Sequence, residues 1–457
     1  MLRIELPNTR QQERYWIAEV LLGNFLGLKW TPISGVSGQV AIVYQGKRLE
    51  MPDMFFTNAD QWLTKETLPK TPLRHWDCRD SGLDVKLTNP IVPVIYGQSG
   101  VQYENANTNL GLDIFGSAFF MLSRYEEVAI SDRDVYDRFP GTASLAFREG
   151  FLNRPIVNEY LEILWACMKR LWPGLIRQAR KRRTLVSCDV DIPYDCGIRS
   201  MWNVAFRTGL DLLKHHSLIK AQKTIRNYRS FRSGDYQCDA YYSAFDWMMR
   251  VNEQAGNQIS FYFITDHTDS KDGCYRMDEP AIRKLIQSIR DRRHEIGLHA
   301  SYNSYLDTAQ TMLEANRLRR VIEQEKIKQA QIGSRQHYLR WDTPQTAVNL
   351  EASGLAYDST LSFADRPGFR CGTCYEYPLF DLKSSKPLNV RERPLILMES
   401  SFFNKRYLAL NYAENTLEMM LNLKETCHKF EGDFTLLWHN THFTHPEDRE
   451  FYSALIS

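Results

Sequence analysis

From Thr184 onward the chain alternates short apolar runs with longer helical stretches, and keeps this up for more than 250 residues. Residues 184–188, 259–264, 295–299 and 434–439 read as strands, and a further strand closes at Tyr338. Between them, residues 200–254 are mostly helical, and 280–293, 307–326 and 344–353 carry helical periodicity, the last stopped by Gly354. Strand–helix alternation of this length predicts a parallel α/β sheet or barrel. Such folds put their chemistry at the C-terminal ends of strands. The alternation therefore also says where to look for a site.

The first 155 residues are different: rich in Trp, Tyr and Phe, and broken by Pro and Gly every 10 to 15 residues. Residues 40–44 and 91–96 read as strands, and 114–127 and 157–171 as helices. Pro173-Gly174 and a basic stretch from Arg177 to Arg183 then mark a boundary. At 43% hydrophobic and 25% charged residues the composition is that of a globular protein. The 57 basic residues nearly balance the 55 acidic ones, for a net +2. No global field attracts nucleic acid, and no nucleic-acid partner is expected. Residues 1–7 lack the features of a secretory leader, and the nine cysteines are odd in number and scattered. A cytoplasmic protein with free thiols is expected.

Four of the expected strands end in polar groups: Asp189 and Asp191, then His299, then Arg335 to Tyr338, then His439. Residues two apart on an extended chain project to one face, so Asp189 and Asp191 can aim at one point. Two carboxylates that close repel unless a cation or a proton lies between them. A metal ion resolves this most simply, with His299 as a neighbour.

In this order the residues resemble the polysaccharide deacetylases of the NodB-homology, carbohydrate-esterase type. Residues 187–191 (Ser-Cys-Asp-Val-Asp) are similar to their two-aspartate motif, with one residue inserted between the acids. Residues 295–304 are similar to the histidine motif, with Asn303 where the family has a second His. Arg335-Gln336-His337-Tyr338 is similar to Arg-Pro-Pro-Tyr, without the prolines. Asp358 and Leu437-Trp438-His439 match the last two motifs. Residues 114–127, 368–372 and 437–440 also look like a subgroup that carries an N-terminal domain of unknown function and accompanies surface-polysaccharide biosynthesis.

The resemblance implies a distorted (β/α) barrel over residues 184–457, a basic linker over 173–183 and a smaller α+β domain over 1–172. It implies hydrolysis of N-acetyl groups on an amino-sugar glycan or its precursor, with a divalent metal, zinc first and Ni, Co or Mn as alternatives. Asp191, His299 and Asn303 would hold the metal, and Asp189 would be the general base, oriented by Arg335. His439 would protonate the leaving amine with Asp358 as its carboxylate, and the Tyr338 backbone N–H would hold the oxyanion. Trp438, Arg370 and Asn440 would contact substrate. Asn is a poorer zinc ligand than imidazole. With the missing prolines, this motivates the alternative of a catalytically degenerate barrel serving as a glycan-binding or scaffolding module; a hydrolase of other C–N or glycosidic bonds is a weaker third, since two acids also suit glycosidases.

Three features stay outside that scheme. Cys371-Gly372-Thr373-Cys374 is a lone CxxC, read as a turn with two free thiols, and His442 and His445 fall in loop-like sequence. The segment 199–232 is locally basic, and a peripheral contact with an anionic membrane surface is its functional reading, against a plain solvated helix face.

Overall fold

The structure, a computed structural model, describes every residue of the chain except Asn58. Its first sheet has six strands in the order Trp30–Ser34, Leu2–Leu6, Gln39–Tyr44, Lys47–Pro52, Asn107–Leu112 and Gly97–Glu104, with both parallel and antiparallel pairs. Arg74–Asp77 and Ile91–Val94 form a separate antiparallel pair. Helix Ile114–Leu122 starts at Asp113, whose carboxylate accepts the Gly116 N–H at 2.7 Å, an N-cap that satisfies an orphan donor. All nine of its residues are buried. Phe119 explains why: its ring meets Trp16 on one side and Phe380, from the second sheet, on the other.

The helix expected over 114–127 is broken. Arg124 sits at φ 56, and the chain resumes as Glu126–Ala129. The turn aims the buried Arg124 guanidinium at Glu126, Glu127 and the carbonyl of Arg370. Arg370 in turn clamps Glu127 with two hydrogen bonds of 2.8 Å. Burial would raise the Glu127 carboxyl, but Arg370 and Arg124 hold it down at about 2. This ion cluster joins the chain's first part to its second.

The second sheet has nine strands, in the order Tyr377–Asp381, Lys386–Glu392, Tyr357–Asp358, Gly333–Gln336, Glu295–Ala300, Ile259–Ile264, Arg183–Val190, Asp433–Leu437 and Leu397–Met398. Every neighbouring pair is parallel except the outermost, Tyr377–Asp381 against Lys386–Glu392. It curls without joining its edges, a half-barrel consistent with the distorted barrel expected from the sequence. Helices such as Pro280–Asp291, which buries Ile282, Leu285, Ile286 and Ile289, cover it, and Ile259–Ile264 is buried at every residue.

Inside the curl, Tyr262 is paired with Gly297. A Cβ at Gly297 would come within 2.4 Å of the Tyr262 ring, so glycine is what lets that ring lie across the neighbouring strand. Cys196 and Cys274 are joined by a disulfide, which corrects the expectation of free thiols throughout; the other seven cysteines, Cys371 and Cys374 among them, are free. Disulfides are uncommon in a reducing cytosol. No helix among the described residues is long and apolar enough to cross a membrane.

Candidate active site

Sheet register brings the strand ends together. His299 pairs with Arg335 on the next strand and with Ile264 on the other side, and Asp189 pairs with Tyr262. Arg335 is fully buried beneath them. It donates to Asp189 Oδ1 and Ser187 Oγ at 2.8 Å and to the Ser359 carbonyl at 2.7 Å, and its guanidinium lies 4.8 Å over the Tyr262 ring. A charge this well tied down is a fixture of the core, and its hold on Asp189 Oδ1 leaves Oδ2 facing outward.

Above this floor, Asp191, His299 and His337 each offer a ligand atom, all within 4.8 Å of one another. His299 Nε2 is 3.1 Å from Asp191 Oδ1 and 3.7 Å from Asp189 Oδ2; His337 Nε2 is 3.7 Å from Asp191 Oδ1. The far ring nitrogens are both engaged: His299 Nδ1 with the Arg335 carbonyl at 2.9 Å, His337 Nδ1 with Asp272 Oδ1 at 2.8 Å. An imidazole that donates from Nδ1 presents a lone pair at Nε2. Two such lone pairs therefore converge on Asp191 Oδ1, itself buried without a hydrogen-bond donor. Three acceptors facing one gap fit a cation. Two imidazoles and a carboxylate, with carboxylate and carbonyl partners behind them, match a catalytic metal site that keeps an open position. This His/Asp triad can hold a metal ion.

The same groups set the local electrostatics. When the imidazoles carry protons in place of an ion, His337 first, then His299 and His439, hold the Asp191 carboxyl well below the usual carboxylate range against its burial. Asp272 likewise resists its burial and is held at about 2, by His337 and by the backbone N–H groups of Tyr302 and Thr268.

His439 approaches from the opposite side. It lies two residues beyond strand Asp433–Leu437, with Nε2 3.6 Å from Asp191 Oδ2. Its Nδ1 is 2.6 Å from Glu399 Oε1, at the start of the short helix Glu399–Phe403. Burial opposes a charge on His439, yet Glu399 first, then Asp191 and Asp189, push it up to about 10. Burial opposes ionisation of Glu399 too, and the facing His439, with His442 behind it, holds that carboxyl at about 2. The pair is a carboxylate–imidazolium couple at neutral pH.

These residues form the floor of a cavity of about 670 Å³, whose walls include Tyr338 and Tyr407. Tyr136 and Arg138, from the chain's first part, also line it. Arg138 donates to the carbonyl of Tyr338 at 2.8 Å, where the backbone takes the left-handed value φ 62. The N-terminal part thus supplies one wall of the site.

A family model described as a family of unknown function, DUF7033, matches residues 2–173. No curated protein matches the chain. Among solved structures, one similar chain is from Mycobacterium smegmatis and is described as a polysaccharide deacetylase; it is 14% identical, with a TM-score of 0.37, over 61% of this chain and 84% of that one. Another is the Puue allantoinase, 13% identical with a TM-score of 0.33, over 62% and 85%.

Of the residues singled out in the sequence, Asp189, Asp191, His299, Arg335 and His439 meet around one gap, and Tyr338 lines the cavity above it. Asn303 does not join them. It is exposed, donating to the Thr268 carbonyl and accepting from Arg340, so it is no ligand to the triad. His337, from the neighbouring strand, stands there instead. Asp358 is not the partner of His439: it is fully buried and accepts from Ser334 Oγ and the Thr360 N–H, and burial pushes it up to about 6. Glu399 holds that place. Arg370 is locked to Glu127 in the core, away from substrate. Trp438 is fully buried with its indole N–H on the His442 carbonyl. Asn440 is buried and ties the Ile192 and Tyr241 carbonyls together. None of these last three lines the cavity.

Sequence reasoning missed His337, Asp272 and Glu399. His337 carried a usable signal, since it stands two residues after Arg335 and so faces the same way.

Proposed function

We propose that this chain is a metal-dependent hydrolase that removes N-acetyl groups from an amino-sugar glycan, or its precursor, in surface-polysaccharide biosynthesis. The observation that carries the proposal is one arrangement. Asp191, His299 and His337 surround a cation-sized gap, with a carboxylate fixed by arginine on one side and an imidazolium fixed by glutamate on the other. Amide hydrolysis needs an activated water, a stabilised oxyanion and a proton for a poor leaving group, and a base and an acid on opposite sides of a metal meet those needs.

Asp191, His299 and His337 would hold the ion; zinc suits this donor set, and Ni, Co and Mn also fit it. When bound, a divalent ion supplies Lewis acidity, polarising an acyl oxygen and acidifying water. Asp189, oriented through Oδ1 by Arg335, takes the proton of the attacking water on Oδ2. His439 delivers its Nε2 proton to the departing amine while Nδ1–H stays on Glu399. The Tyr338 backbone N–H is the proposed second contact to the oxyanion. Tyr136, Tyr338 and Tyr407 offer aromatic faces beside charged groups, a wall suited to a sugar ring.

Purified protein should carry about one divalent ion per chain and release acetate from N-acetylated amino-sugar oligomers or precursors. Asp189→Asn should keep the metal and lose the acetate. Metal-free protein that never binds an ion, or acetate release indifferent to Asp189→Asn, would sink the proposal. The degenerate-module alternative drew on the missing imidazole at position 303 and on the missing prolines at 336 and 337. His337 answers the first of these by bringing a second imidazole to the gap.

A further inference from the structure

The residues just past Asp191 lead into two helices, Met201–Leu213 and Leu218–Arg232, packed side by side as a hairpin. Val204 is the buried residue of the first helix and Ala221 that of the second. Thr224 bridges them with a hydrogen bond to Asp211. The outer face of the first helix is apolar. Trp202, Phe206 and Leu213 recur at spacings of four and seven, one stripe of an α-helix, and are 83%, 69% and 80% exposed. At the tip, Leu218 and Ile219 are 69% and 80% exposed. A helix of a globular protein normally turns such a stripe inward, and an exposed one marks an interaction surface.

Charge identifies what covers it. Residues 201–232 contain seven Lys and Arg against one Asp, a net +6 in a chain whose total is +2. Among the described residues, Lys214, Lys220, Lys223, Arg226, Arg229 and Arg232 form no ion pairs, whereas Arg207 pairs with Asp195. A second copy of the chain would bring +6 against +6. An anionic bilayer instead matches both features, taking Trp, Phe and Leu into the headgroup boundary while lysines meet lipid phosphates. The helix that carries the stripe also reaches the cavity, since its Arg207 lines it beside Asp195 and Gly197 from the turn just before the helix.

We propose that the Met201–Arg232 hairpin is an interfacial anchor that seats the chain on an anionic membrane surface with its cavity mouth at headgroup level. Resting on the deacetylase reading, it follows that the substrate is an N-acetylated sugar carried on a lipid.

The test is co-sedimentation of the full-length protein with vesicles of phosphatidylcholine, alone or with phosphatidylglycerol added. Binding is expected to the anionic vesicles only, and to weaken as salt is raised. Lys220→Glu with Lys223→Glu should reduce binding by at least about fivefold per position. Trp202→Ser with Phe206→Ser should also reduce it, with circular dichroism and melting temperature unchanged because both side chains are exposed. No binding to anionic vesicles overturns the proposal, and so does equal binding by the Trp202/Phe206 variant. A dimer seen by light scattering that this variant dissolves would assign the face to a second copy and overturn it as well. Vesicle binding is read without turnover. Binding without acetate release would leave the anchor standing and fell the deacetylase reading; turnover of soluble sugars without vesicle binding would do the reverse.

Discussion

Glu399→Gln tests the acid side of the site, because the structure makes it a nearly silent change in shape. Glu399 Oε1 faces His439 Nδ1 at 2.6 Å, while Oε2 is buried with no partner. A glutamine can keep its carbonyl on His439 and put its amide where no donor is displaced. What is lost is the charge. A hydrogen bond to a charged group contributes about 1.5–3 kcal/mol. At about 1.36 kcal/mol per pH unit, its loss should lower the His439 pKa by about one to two units. His439 is pushed up to about 10 in the native protein, and it must be protonated to act. The alkaline limb of kcat/KM against pH should therefore move down by that amount in the variant, with the acid limb in place. The couple also stabilises the fold fully only between about pH 4.5 and 6.5: the contribution fades as pH rises toward the raised His439 pKa, and again as pH falls toward the lowered Glu399 pKa. Asp358→Asn is the control: Asp358 touches Ser334 and Thr360, not His439, so the limb should stay where it is. An unmoved limb in Glu399→Gln, or a moved one in Asp358→Asn, would refute the assignment.

Four further outcomes follow from the same contacts. His337→Ala should lose bound metal by elemental analysis, whereas Asn303→Ala should keep it, because only the first presents a donor to the gap. Asp189→Asn should lower kcat by about 10²–10⁴-fold, the usual worth of a positioned base, with metal content unchanged. Arg370→Ala strips a buried glutamate of one of its two arginines and should cost about 3–5 kcal/mol in urea unfolding. The KM of the folded fraction should stay as it was, since Arg370 lies outside the cavity. Gly297→Ala would press a methyl against the Tyr262 ring and should cost about 1–3 kcal/mol by the same measurement.

The half of the site that lies on strands was legible because a parallel sheet turns sequence spacing into direction. Asp189, Asp191, His299 and His439 follow apolar runs, and the rule that alternate residues share a face sends them to one rim. The other half was not legible, for a different reason in each case. Glu399 follows a strand of only two residues, Leu397–Met398, too short to show a period, and its partner His439 is 40 positions away. Asp272 sits between strand and helix, and only the fold brings it against His337. The openness of the sheet depends on which edges pair, a long-range matter that no local pattern records.

His337 is the instructive case. Matching a motif column by column assigned the second nitrogen ligand to position 303, where the chain has Asn, and read residues 336 and 337 as lost prolines. Following the face of the strand from Arg335 would have reached His337 directly, because the sheet, and not the column, decides what a side chain meets. Asn303 and His337 lie on different elements, yet an imidazole from either could serve a metal equally well if its Nε2 reached the gap. A site of this kind can move a ligand from one strand end to its neighbour and keep its chemistry, provided that a partner such as Asp272 moves in behind the new imidazole. Asp272, fully buried and bound to His337 and to three backbone N–H groups, is that partner here.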